Sequence, residues 1–173
     1  MIQIRKTQIE DIDLLMDIFE QGKRIMRKNG NLKQWTGNYP DRDLIKKDIE
    51  AGHSCVCLDE KGNIIGTFTF IPGKDPTYAR IYEGQWLDDE RPYATIHRLA
   101  STEDSHGVAA ACIEWCYTRI QNLRADTHRD NLILQHILQK HGFRYCGIIY
   151  LMNGEERLAY QKMKDCVSLT YGN

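Results

Sequence analysis

Ile-His-Arg-Leu-Ala-Ser at 96–101 is followed by Asp-Ser-His-Gly-Val-Ala-Ala-Ala at 104–111, Arg-Ala-Asp-Thr-His at 124–128, and Asn-Leu-Ile-Leu-Gln-His-Ile-Leu-Gln-Lys-His-Gly-Phe at 131–143. These four segments decide the fold. They read as a strand, a tight glycine turn opening a helix, a second strand, and a second helix ending at Gly142. A glycine turn at a helix start aims backbone N–H groups at one point, and the helix dipole favours negative charge there. Gly107 permits close approach, and Val108, Ala109 and Ala110 offer N–H groups with little side-chain bulk. Small residues here also suit plain helix packing. The strand–turn–helix setting favours a phosphate cradle.

Working outward, residues 2–5 form a short strand pattern. A helix is predicted over 9–28, where Ile12, Leu15, Met16, Ile18, Phe19, Ile25 and Met26 recur mostly at three- and four-residue steps. Thr7 and Glu10 have capping-box spacing, and Gly30 can end the helix. Residues 31–40 are loop-like, and 41–51 read as a helix stopped by Gly52. Two strand patterns, 53–58 and 64–71, flank a hairpin turn at 59–63. Residues 72–92 are an irregular insert carrying Tyr78, Tyr82 and Trp86, with Tyr93 just beyond. Such a loop either folds over the core or lines a pocket. Strands at 93–101, 123–128, 143–151 and 157–162 alternate with helices at 108–121 and 131–141, and Asn153-Gly154 marks a hairpin turn. The expected architecture is α/β, a mixed central sheet flanked by helices on both faces.

A chain of 173 residues suits one domain over residues 1–173. Its 23 basic and 24 acidic residues give a net charge of −1, which argues against general nucleic-acid binding. The start has no charged-then-apolar signal pattern, and no apolar run approaches the roughly 18 residues of a membrane span. The expectation is a cytoplasmic protein without nucleic-acid or membrane partners. Six cysteines, at 55, 57, 112, 116, 146 and 166, lack C-x-x-C spacing. They read as reduced core thiols, and no metal is expected.

The motifs together resemble the acyl-CoA core of the GNAT superfamily of N-acetyltransferases, as a bacterial-type, single-domain member, over residues 2–163. That family's phosphate loop runs Gln or Arg, two residues, Gly, one residue, then Gly or Ala. Here it is Asp104-Ser105-His106-Gly107-Val108-Ala109, so Gly107 and Ala109 match and Asp104 departs. Asn131, Lys140 and Gly142-Phe143 match a second pattern, in which the Asn reaches the pantetheine arm. Capping by Asp130 or Asn131 and termination by Gly142 explain the same residues structurally. The resemblance implies that Leu99, Ala100 and Ser101 form the edge that pairs with pantetheine. It also implies that His106, Gly107, Val108, Ala109 and Ala110 hold phosphate, with Asn131 and Lys140 completing the cofactor site. A backbone N–H of Leu99 or Ala100 would meet the oxyanion.

The resemblance further implies two neighbouring parallel strands that splay apart to admit the cofactor. The tyrosine that protonates the leaving thiolate in that family falls at Leu138 here. Tyr93, Tyr145 or Tyr150 would have to substitute, with Tyr145 the first candidate. For the base, His97 precedes the cofactor edge, and imidazole titrates near neutrality. A core histidine is the competing reading. Glu83 could enter from the insert, and Asp126 with His128 ends the next strand. Trp35, Tyr39, Tyr78, Tyr82, Trp86 and the acidic run 88–90 suit an amine or cation. An aromatic mini-core pinning the insert suits them equally.

The implied function is an N-acetyltransferase moving an acetyl group from acetyl-CoA, its acyl-donor cosubstrate, directly to a primary amine of a small molecule or peptide. Dimers are common in that family, so a homodimer is admitted. The alternative is a non-catalytic acyl-CoA-binding or regulatory domain on the same fold, favoured by Asp104 and Leu138. A nucleotide-binding α/β protein is weaker, since neither a Walker-type loop nor G-x-G-x-x-G is present.

Overall fold

The computed structural model describes residues 1–164. Seven strands form one sheet: β1 (Gln3–Lys6), β2 (Ser54–Leu58), β3 (Ile64–Pro72), β4 (Ala94–Ser101), β5 (Asn122–Thr127), β6 (Arg144–Tyr150) and β7 (Glu156–Met163). Their order is β1-β2-β3-β4-β5-β7-β6. Every neighbouring pair is antiparallel except β4 and β5. The helices are α1 (Ile12–Lys28), α2 (Arg42–Glu50), α3 (Val108–Tyr117) and α4 (Leu132–Lys140). The mixed sheet with flanking helices is the architecture read from the sequence.

Side-chain alternation sorts the core into layers. On one face, Cys55, Cys57, Phe68, Leu123, Ala125 and Tyr160 pack against Val108, Ile113 and Cys116 of α3 and Leu138 of α4. On the other, Val56 and Ala100 meet Leu15, Ile18 and Phe19 of α1 and Ile45 of α2. Residues 72–92 continue this second layer. Tyr78 and Trp86 pack with Tyr93, Cys146, Ile149 and Ala159. So the insert folds over the core, and its aromatic mass holds it there. The guanidinium of Arg124, a fully buried β5 residue, lies 3.9 Å from the ring centres of both Trp86 and Tyr93. A desolvated cation between two rings is worth about 2 kcal/mol or more. The Arg124 head also donates to the Asp88 carbonyl and the Asp89 carboxylate, at 3.0 and 2.9 Å.

Some local expectations change. The cap of the first helical segment is Gln8–Asp11, not Thr7–Glu10: Asp11 accepts the Gln8 N–H at 2.8 Å, while Thr7 is drawn to Ser54 at 2.7 Å. A 3-10 turn, Ile9–Asp11, precedes α1. Helix α3 stops at Tyr117, because residues 118–121 turn the chain into β5. Cys55, Cys57, Cys112, Cys116 and Cys146 are free and buried. Burial pushes the Cys55 thiol up to about 11 and the Cys57 thiol to about 12, which keeps them unreactive. Cys166 lies outside the described residues.

Candidate active site

The cleft originates in an incomplete strand pair. Strands β4 and β5 pair only at Ala94 with Leu123 and Thr95 with Arg124. Beyond these two residues they part, and a cavity of about 480 Å³ occupies the gap. Ile96, Val108, Ile113, Ala125, Ile137 and Leu138 supply an apolar lining.

On its other edge, β4 carries a bulge. Thr67 faces Ala100 on β3's ladder, but Thr69 faces His97, so β4 has one residue extra. Arg98 takes it up with φ of 50°, in the left-handed region. The result is visible in the packing. Ile96 and Leu99 both face the α3 layer, whereas His97 and Arg98 both turn to the opposite face. Ile-His-Arg-Leu is a break in strict alternation, and that break was the sequence signal for the bulge.

A non-glycine residue in this conformation costs about 1 kcal/mol or more and persists only when its surroundings fix it. Asp48 of α2 does so. It grips Arg98 through Nε at 2.7 Å and Nη2 at 2.8 Å, and also accepts the Thr69 hydroxyl at 3.1 Å. Burial pulls the guanidinium's proton affinity down, but Tyr39 and Asp48 raise it further.

His97, on the same strand, stands between two other carboxylates. Its Nε2 is 2.8 Å from Asp75 Oδ2, and its Nδ1 is 3.9 Å from Asp126 Oδ2. Asp126 accepts the Tyr78 hydroxyl at 2.6 Å. Burial would raise Asp75, but hydrogen bonds from His97 and from the Thr77 hydroxyl and N–H outweigh it and hold the carboxyl at about 2. Burial, then the Asp126 charge, pushes Tyr78 well above the usual phenol range, so it remains a donor.

The two helices beside the cleft begin differently. At α4, Asn131 accepts the Leu134 N–H at 3.1 Å and donates to Gln34 Oε1 at 3.0 Å. Asn131 lines the cavity, yet its amide is committed to capping and to the 31–40 loop. At α3, Gly107 occupies the cap with φ of 79° and supplies no side-chain hydrogen bond. The first N–H groups of a helix have no partner within it. Those of α3 open beside Val108 and Ala109, which line the cavity.

Of the residues singled out from sequence, His97, Leu99, Ala100, Ser101, Val108, Ala109, Asp126, Asn131, Trp35 and Tyr39 line this one cavity. Gly107 adjoins it as the α3 cap. The others stand elsewhere. His106 and Lys140 are exposed outside the lining, and Ala110 lies one residue further into α3 than the lining reaches. Glu83 and Tyr82 sit on the sheet's far edge, where Tyr82 bridges to Ile148 of β6. Tyr145 is also on β6, half exposed, its ring 5.8 Å from Tyr160. Trp86 is buried, with its indole N–H on the Tyr78 carbonyl at 3.1 Å. Tyr93 accepts the Asp75 N–H at 2.8 Å, and Tyr150 stacks edge-on with Tyr82. His128 turns into its own loop, accepting the Asp130 N–H at 3.0 Å. Position 138 is confirmed as a buried leucine at the cleft.

Sequence reading missed Asp75 altogether and gave Arg98 and Asp48 no role. Asp75 had no periodic signal, because it reaches His97 from inside the irregular insert.

Among known structures, an acetyltransferase of the GNAT family from Streptococcus agalactiae 2603 is similar over 95% of this chain and 96% of its own, with 35% identity and a TM-score of 0.86. A GNAT-family acetyltransferase from Listeria monocytogenes 4b F2365 shares 19% identity over 93% and 94% of the two chains, with a TM-score of 0.67. The NatC complex bound to Gag peptide and CoA contains a chain with the same fold, at 16% identity, 95% and 99% coverage and a TM-score of 0.57. No protein-family model matches the chain, and none of the curated proteins does. The chain belongs to the GNAT family of acetyltransferases, which supports acetyl transfer in general. Among the described residues no helix is long and apolar enough to cross a membrane, and no group of three or more His, Cys, Asp or Glu is placed to hold a metal.

Proposed function

We propose that the protein transfers the acetyl group of acetyl-CoA directly to a primary amine of a small molecule or peptide. The observation that carries this reading is the cleft itself, which has an uncapped helix start at α3 and a histidine between carboxylates. The pyrophosphate would meet the first N–H groups of α3 beyond Gly107, where dipole and unpaired donors favour an anion. The pantetheine arm would run along Leu99, Ala100 and Ser101, adding a short strand where β4 lacks a partner.

His97 is the base in this reading. The acceptor arrives as an ammonium and gives one proton to His97, which passes it to solvent. The free amine forms the C–N bond at the thioester carbon. The C–S bond breaks, and the departing thiolate takes the second amine proton. This route needs no tyrosine at Leu138. Placement of the two reactants and a backbone donor to the oxyanion supply most of the rate. The CoA bound in the NatC-complex structure is consistent with acyl-CoA use here.

The test is thermal melting with acetyl-CoA, against ATP and NAD, followed by thiol release across an amine panel. Stabilisation by acetyl-CoA alone, amine-dependent thiol release, and a loss of about 10²-fold or more in His97→Ala are expected. Leu138 and Asp104 favour a second reading, a non-catalytic acyl-CoA-binding domain. Binding without thiol release on any amine would establish it.

A further inference from the structure

The residues around His97 form an arrangement with one open corner. Asp75 comes from the insert, Asp126 from β5, and Tyr78 from the 3-10 turn Pro76–Tyr78. Asp75, His97 and Asp126 line the cavity. Tyr78 is buried behind Asp126 and held by Trp86 and Tyr93 at ring-centre distances of 5.2 and 6.4 Å.

An ionised carboxylate only accepts hydrogen bonds. The 2.8 Å contact with Asp75 therefore requires a proton on Nε2. In the neutral ring Nδ1 then keeps a lone pair. That lone pair lies on the side of Asp126, and 3.9 Å is too long for a direct bond between them. It is a good separation for a shared donor. Two contacts of about 2.8 Å to points 3.9 Å apart meet at about 90°, near the angle between two N–H bonds of an ammonium.

Resting on the acetyl-transfer reading, we propose that Asp75 is a positioning residue that fixes His97 as the Nε2–H tautomer, and that Asp126 seats the acceptor's ammonium against His97 Nδ1, so the acceptor is a cationic primary amine. Tyr78 donates to one lone pair of Asp126 and leaves the carboxylate's remaining capacity for the ligand. The charged and titratable groups facing the imidazole are thus Asp75, Asp126 and the Tyr78 hydroxyl. Arg98, next in sequence, also lines the cavity, with its Nε and Nη2 held by Asp48.

The experiment is ¹⁵N NMR of the full chain labelled in histidine, with n-butylammonium as the probe, on wild type, Asp75→Asn and Asp126→Asn. Wild type should show protonated Nε2 and an Nδ1 signal that moves with n-butylammonium. Asp126→Asn should lose that response, and Asp75→Asn should redistribute the tautomers. A protonated Nδ1 in neutral wild type, or a response undiminished in Asp126→Asn, overturns the proposal.

Kinetics provide the second arm. With n-butylamine and acetyl-CoA, Asp126→Asn should raise the amine KM about tenfold with the acetyl-CoA KM unchanged. Asp75→Asn should lower kcat with both KM values little changed, and Asp75→Glu should recover part of the loss, because the carboxylate that orients the imidazole is what was removed. Unchanged constants overturn the proposal even in an active enzyme. Acetyl-CoA binding and an intact NMR response without thiol release would sink the acetyl-transfer reading and leave the ammonium seat standing.

Discussion

Arg98 and His97 are consecutive on β4, turn to the same face and each meets aspartate, but the two contacts differ. Arg98 is closed off: Asp48 takes it with two hydrogen bonds, and Thr69 and Tyr39 complete the group. His97 is held firmly on Nε2 and left open on Nδ1. The helix starts repeat the contrast, Asn131 closing α4 and Gly107 leaving α3 open. A saturated polar group stabilises the fold, whereas a polar group fixed on one side and unsatisfied on the other is prepared for a ligand.

The contrast can be broken from the closed side first. Arg98→Ala leaves Asp48 buried without its partner, which should cost about 3–5 kcal/mol and lower Tm by roughly 10 °C by calorimetry. A loss below 1 kcal/mol would show that the Arg98 contact is not structural. At the open helix start, Gly107→Val places a branched residue where φ is 79°. It should abolish the stabilisation of about 2.7 kcal/mol that acetyl-CoA gives at a hundred times its Kd, with circular dichroism unchanged. Normal binding by that variant would remove the phosphate-cradle assignment.

Acid provides a graded test. A carboxyl near 3.9 unfolded and about 2 folded stabilises the protein above pH 4 and loses that contribution as pH falls towards 2. Asp75 should therefore contribute about 2 kcal/mol at neutral pH. Urea unfolding of wild type and Asp75→Asn should converge between roughly pH 4 and pH 2, and parallel curves would contradict the ion pair. The smallest effect belongs to the closed helix start. Asn131→Ala should cost about 1 kcal/mol through the lost cap, with acetyl-CoA affinity little changed. A large loss of affinity instead would return Asn131 to the cofactor site.

Local signals were sufficient for the elements. Helical spacing in residues 12–28, the 59–63 turn and the Gly107 and Gly142 boundaries each follow from a few neighbouring residues, and strands and helices stand within a few positions of expectation. The side of the cleft lined by Leu99 to Ala109 was legible for the same reason, since that stretch is nearly continuous in sequence. The polar end was not. Asp75 and His97 are 22 residues apart, and Tyr78 and Asp126 are 48 apart, joined only by the way the insert lies on the sheet. Trp86 and Tyr82 stand away from the cavity, and aromatic residues suit pockets and cores equally, so their type could not place them. What decides for Trp86 is Arg124, a distant residue that composition cannot connect to it.

The docking of residues 72–92 carries a consequence for engineering. This segment brings Asp75 and Tyr78 to the cleft, and it is held on the sheet by Arg124 with the rings around it, by Gln161 at Leu87 and Asp88, and by the Tyr82–Ile148 bridge. The splayed strands and the α3 turn are built from other residues. Around those anchors the remaining positions of the insert can be varied. A loop of similar length that keeps the Trp86 and Tyr93 sandwich could carry different polar groups to His97, while the strand and helix start beside them stay as they are.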